Sequence, residues 1–144
     1  MQASGHWLLW ASLSALFAGA TAVLAKIGIQ GVDADLATLI RTAVILVLLA
    51  LFVGATGKWS NPLQLAPRTL LFLALSALAT GASWVCYFRA LQLGPASLVA
   101  PVDKSSVVVV AVLAFAFLGE RPSPKEWLGL GLISAGVLVL AIRR

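Results

Sequence analysis

Apolar residues fill five long runs along the chain, and polar or charged residues gather in the short stretches between them. The runs extend from about Trp7 to Ala25, Leu36 to Ala55, Thr69 to Leu93, Ala96 to Leu118 and Glu126 to Ile142. A helix needs about 20 mostly apolar residues, within a range of about 17–25, to cross the hydrocarbon of a bilayer. The pattern therefore predicts an all-α integral membrane bundle of five transmembrane helices, occupying residues 1–144 as one domain. Five crossings place the two termini on opposite faces of the membrane.

The breaks between runs carry chemical causes. Gly94 suits the left-handed position after a helix and Pro95 the first turn of the next. Pro122 and Pro124 end the fourth run before the fifth begins. The longest connection, from about Thr56 to Arg68, holds two prolines and Trp59 and is expected along the interface. Trp7, Trp10, Trp59 and Trp127 fall near span ends, where an amphipathic ring bridges lipid and water. Trp84 does not; it lies well inside the third run. The first run is read as a span rather than a cleaved leader, because no Lys or Arg precedes it. Ser14, Ala18 and Ala22, Ala77 with Gly81, and Gly131 with Ala135 recur at four-residue spacing, which predicts close helix packing.

Composition supports the same class. Apolar residues make up 61% of the 144 positions and charged residues 10%. A soluble domain has roughly 25% charged residues, and a chain this short has too little interior to hide so much apolar surface. The net charge of +5 is scattered singly, so no basic stripe for nucleic acid forms. One cysteine and one histidine exclude an intrachain disulfide and argue against a zinc site. No cofactor is implied. No nucleophile–His–acid set, phosphate loop or metal-ligand cluster is present, so an enzyme is not expected.

Charge placement is the most informative feature. If the chain is followed through the bilayer, Lys26, Asp33, Asp35, Arg41, Arg89, Asp103 and Lys104 all fall toward the same face. Arg41 lies about 8 Å along the second helix and Lys104 about 12 Å along the fourth, at 1.5 Å per residue. A charge at membrane depth costs from about 2.5 kcal/mol upward, so these groups are expected to meet one another or water. Stapling of helices with snorkelling side chains explains Lys26, Asp33 and Asp35 best. A polar cavity explains Arg41, Asp103 and Lys104 better, because Pro101 frees backbone carbonyls just before them and Ser105 and Ser106 add hydroxyls. Trp84 and Tyr87, three residues apart, share a face near Arg89.

Several segments resemble a known family. LGPASLVAPVDKSSVVVVAVLAFAFLGERPSPKEWLGLGLISAGVLVL (residues 93–140) resembles the C-terminal part of an EamA repeat of the drug/metabolite transporter superfamily. WLLWASLSALFAGATAVLAKIGI resembles that family's first helix, and TGASWVCYFRALQLGPAS its third helix and exit. Similarity is greatest to short bacterial proteins with one repeat, which implies a multi-pass protein of the bacterial inner membrane. Typical members carry two five-helix repeats in opposite orientations with a substrate path between them. A single repeat implies a half-transporter, completed by an antiparallel second copy. Flanking charge permits this: Lys58, Arg68, Arg121 and Lys125 lie on one side, and Lys26, Arg143 and Arg144 on the other, so neither orientation is strongly favoured.

The function expected is secondary transport of a small organic solute. Arg41, Arg89 and Lys104 would attract anionic parts of the substrate. Asp103 would carry a proton or act as counter-ion, and Trp84, Tyr87 and Ser105 would line the path. A lipid-linked substrate flippase or its subunit, and a non-transporting scaffold or partner subunit, remain open alternatives.

Overall fold

A computed structural model of the chain describes residues 6–142. Arg143 and Arg144, counted above in the charge balance, lie outside the described residues. The described chain is helical: α1 (His6–Gly28), α2 (Ala34–Ala55), a short 3-10 turn (Pro62–Gln64), α3 (Pro67–Leu93), α4 (Ala96–Asp103), α5 (Ser106–Leu113), a π-helical turn (Ala114–Leu118) and α6 (Pro124–Ala141). Five stretches are long and apolar enough to cross a membrane, the fourth being α4, α5 and the π turn together, Ala96–Leu118. The helices form two compact units, residues 25–93 and residues 1–24 with 94–144.

In the first of these units α2 packs on α3. Its buried residues, Ile29, Ala34, Thr38, Phe88 and Leu91, all belong to the end where α1 finishes, α2 starts and α3 finishes. Toward the other end Leu46, Leu49 and Phe52 of α2 and Leu71, Phe72 and Leu78 of α3 are each more than half exposed. Exposed apolar rows of this length are stable only against lipid or another chain. The turn into α2 is made by Gly31, whose φ of 74° is left-handed, followed by Asp33 as the cap.

In the other unit α4 and α5 pack on α6. The fourth span is one predicted helix in two pieces. Pro101 has no N–H to offer the Ser97 carbonyl four residues back, and the turn beyond it tightens. Lys104 N–H reaches both Ala100 and Pro101 oxygens, Ser105 bonds Val102, Val107 bonds Lys104 and Val108 bonds Ser105, all at 3.0–3.2 Å. Bonds of i→i−3 type in mid-span mark a sequence under constraint or a hinge. The span ends in a wider turn: the Gly119 and Glu120 amides both reach the Ala114 carbonyl. Gly119 stands at φ 69° to allow it; Gly94, expected in that conformation, does not adopt it, because Pro95 stands extended as the cap of α4 and the chain passes from α3 to α4 without a left-handed residue. The last helix starts at a capping box, where Ser123 and Glu126 satisfy each other's amides.

The small-residue repeats differ in their surroundings. Ala22 is buried, but a Cβ placed on Gly81 or Gly131 meets nothing within 4 Å. Within its own unit neither glycine is met by a second helix.

Gly119 supplies the prediction of this section. Open space surrounds it, so substitution tests backbone conformation alone. Gly119→Ala is expected to cost roughly 1 kcal/mol, the penalty of a left-handed alanine, and Gly119→Asn less. Thermal unfolding of the purified protein in detergent measures both, and wild-type stability in Gly119→Ala would contradict the assignment.

Candidate functional site

At the packed end of unit 25–93 Lys26 and Arg89 lie with Asp33 and Asp35. Asp33 stands before α2 and accepts hydrogen bonds from the amides of Asp35 and Leu36 at 2.9 and 3.0 Å. These are unpaired donors at a helix start, and an anionic cap there also suits the positive helix end. Asp35, one residue into α2, receives Arg89 of α3 in a two-pronged pair: Nε to Oδ1 at 3.0 Å and Nη2 to Oδ2 at 2.6 Å. Lys26, near the end of α1, donates to the carbonyl of Leu91, one of the last carbonyls of α3. Gln92 donates to the Val32 carbonyl at 2.7 Å and ties α3 to the α1–α2 turn. Buried Leu91 and Phe88 form the apolar floor beneath these polar ties.

Arg41 lies almost two turns further into α2. Its guanidinium carbon sits 4.5 Å from the centre of the Trp84 ring and 5.6 Å from that of Phe88. A cation over an aromatic face is attracted by the ring quadrupole, most strongly at Trp. Tyr87 meets Phe88 edge-on at 6.3 Å between centroids. The result is a half-buried patch of one cation and three rings inside the span.

The other unit holds two features. At the break in the fourth span Asp103 is half-buried, and the exposed Lys104 ammonium lies 3.5 Å from its carboxylate. Ser105 turns the chain into α5 without using its side chain as a cap. The second feature is a groove of about 710 Å³ with apolar walls from Trp7, Val107, Val110, Leu130 and Ile133. Glu120, Arg121 and Glu126 stand at its polar rim.

Of the expected site residues, Arg41, Trp84, Tyr87 and Arg89 thus occupy one unit and Asp103, Lys104 and Ser105 the other, and each set is local. Within the first set Arg41 and Trp84 touch, and Arg89 is taken by Asp35. Phe88 and Gln92 were missed by the sequence reading. Phe88 hides among many apolar residues of α3. Gln92 was visible as an uncharged polar residue at the end of a span; its partner, the Val32 carbonyl, was not.

Five stretches long and apolar enough to cross a membrane among the described residues make this a multi-pass membrane protein. The chain belongs to the EamA-like transporter family, whose model matches residues 5–142. It is 55% identical over 139 residues to "Uncharacterized transporter in cobO 3'region" of Sinorhizobium sp, covering 96% of this chain and 99% of that protein. It is 26% identical over 145 residues to "Uncharacterized transporter YxxF" of Bacillus subtilis (strain 168), matching 99% of this chain but 45% of that longer one. It is also 32% identical over 88 residues to "Probable 4-amino-4-deoxy-L-arabinose-phosphoundecaprenol flippase subunit ArnE" of Yersinia pestis (strain Pestoides F), covering 60% of this chain and 77% of that one. No solved structure gives a significant match.

The Asp35–Arg89 pair provides a direct check on this geometry. Both side chains remain half-exposed or more, so the pair acts by orientation as much as by burial. Asp35→Arg and Arg89→Asp are each expected to lower the melting temperature in detergent. The charge-swapped double variant should recover most of the loss. Independent, additive losses would mean that the two residues are not partners.

Proposed function

We propose that the protein is a secondary transporter of a small organic solute, a half-transporter completed by a second copy in the opposite membrane orientation. The observation that carries this reading is the interrupted fourth span, with Asp103, Lys104 and Ser105 at the break. Transporters built from inverted repeats bind substrate and coupling ions near the midplane, where helices are discontinuous. Asp103 is the proton carrier or the counter-ion of Lys104 in this scheme, and Ser105 offers a hydroxyl to the substrate. Arg41, Arg89, Trp84 and Tyr87 form the cationic and aromatic wall of the path.

The relatives' lengths favour the inverted copy in this reading. The Sinorhizobium relative matches end to end, whereas this chain spans less than half of the Bacillus one. By the order of the spans in the sequence, the intruding charges are expected toward one face, and inversion of a second copy would supply the equivalent arrangement on the other. The Gly81 and Gly131 faces, each open within its own unit, suit close approach of another helix. Flanking charge is balanced enough for both insertions. The bacterial inner membrane is the compartment this reading assigns.

A second reading draws on the groove by α5 and α6. Its apolar walls and charged rim suit an amphiphile with its tail in the groove and its head at the surface. The flippase-subunit name of the Yersinia relative points the same way. In that case the moved molecule is a lipid-linked one.

Purified protein in vesicles loaded with a bacterial metabolite extract tests the proposal with no substrate chosen in advance. Wild-type vesicles should lose a small set of solutes, read by mass spectrometry, and Lys104→Ala vesicles should retain them. A variant forced into one orientation by a few added terminal lysines should be inactive alone and active with its oppositely biased counterpart. Full activity of one forced orientation contradicts the inverted pair. Retention of all solutes, with movement of a labelled polyprenyl phosphate between leaflets, favours the second reading; retention of both leaves the scaffold.

A further inference from the structure

We infer that Arg41 is an anion subsite, and that the transported solute is an organic anion whose carboxylate or phosphate seats on this guanidinium. The inference rests on the transporter reading and narrows its substrate class. It starts from a charge balance inside unit 25–93, which carries Lys26, Arg41 and Arg89 as well as Asp33 and Asp35. Asp35 is occupied on both oxygens by Arg89. Asp33 is held by the first amides of α2 through Oδ1. Lys26 is turned to the Leu91 carbonyl, at the negative end of the α3 dipole. The remaining charge of that set is Arg41, and within this unit its neighbours are rings.

Ring contact fixes the guanidinium but answers none of its five N–H donors. A guanidinium keeps its positive charge in proteins. A permanent cation inside a span therefore calls for an acceptor. A carboxylate or phosphate fits best, because its paired oxygens match the planar fork of donors. Arg89 and Lys104 differ: each already has a carboxylate of its own unit, at 2.6 and 3.5 Å. The aromatic neighbours shape the rest of the ligand. Trp84 and Phe88 lie against the cation and Tyr87 meets Phe88, so a flat or apolar body beside the anionic group is accommodated.

Iodide quenching of Trp84 fluorescence tests the subsite without a known substrate and without transport. The protein keeps Trp84 while Trp7, Trp10, Trp59 and Trp127 are changed to Phe, and is purified in an uncharged detergent. Iodide should quench Trp84 more than caesium does, by about three-fold when both are normalised to neutral acrylamide. Arg41→Gln should abolish the preference and Arg41→Lys should retain it. If Arg41→Gln does not fold, the iodide–caesium comparison in the Arg41 protein decides alone. Equal quenching by the two ions overturns the subsite. So does an iodide preference that emerges only in Asp103→Asn, which would assign the anion to the protein itself. Solute loss from vesicles in the face of either result would leave the transporter reading standing and remove only the substrate class.

Discussion

A bilayer interior has no water to satisfy a polar group, and the architecture of this chain follows from that constraint. Backbone groups are satisfied by running as helices. Side-chain charges are not so easily satisfied, and they are gathered where helix ends offer partners. Asp33 takes amides at the start of α2, Lys26 takes a carbonyl at the end of α3, and Asp35 and Arg89 take each other. The buried residues of unit 25–93 lie at that same end. Polar ties and apolar packing thus reinforce each other over one short zone, and the opposite ends of α2 and α3 are left to lipid or to another chain.

Two places depart from this economy. Arg41 has rings for neighbours instead of an acceptor in its unit, and the fourth span breaks its hydrogen-bond ladder at Asp103–Lys104–Ser105. Both are costly in hydrocarbon, and such costs persist where function needs them. The break places an acid, a base and a hydroxyl within the span. A transport path gains a polar surface and a hinge at one point.

The five spans were legible because lipid imposes a length and a polarity that composition alone satisfies. Pro122 and Pro124 read correctly as the stop after the fourth span because a missing amide is a local property, whereas the left-handed position fell to Gly119 and not to Gly94, since any glycine near a helix end offers the same freedom. The Ser123–Glu126 capping box was readable too, as Ser and Glu three residues apart before an apolar run. The pairing of Asp35 with Arg89 was not, since 54 residues separate them and Arg41 and Lys26 were equally plausible partners. Trp84 stood out as the tryptophan away from a span end, and Arg41 as the arginine deep in a span. That they meet depends on the rotation of α2 against α3, which periodicity does not fix in helices apolar on every face. Small-residue spacing works the same way: it marks a face fit for close approach but does not say which chain covers it.

The central claim is that the break in the fourth span lies on a path reached from both sides of the membrane. Ser105→Cys in a Cys86→Ser background places one thiol at that break. A membrane-impermeant maleimide, applied to sealed right-side-out and inside-out vesicles in turn, should label it from both faces. Labelling from one face only, or from neither in a folded protein, would contradict the account.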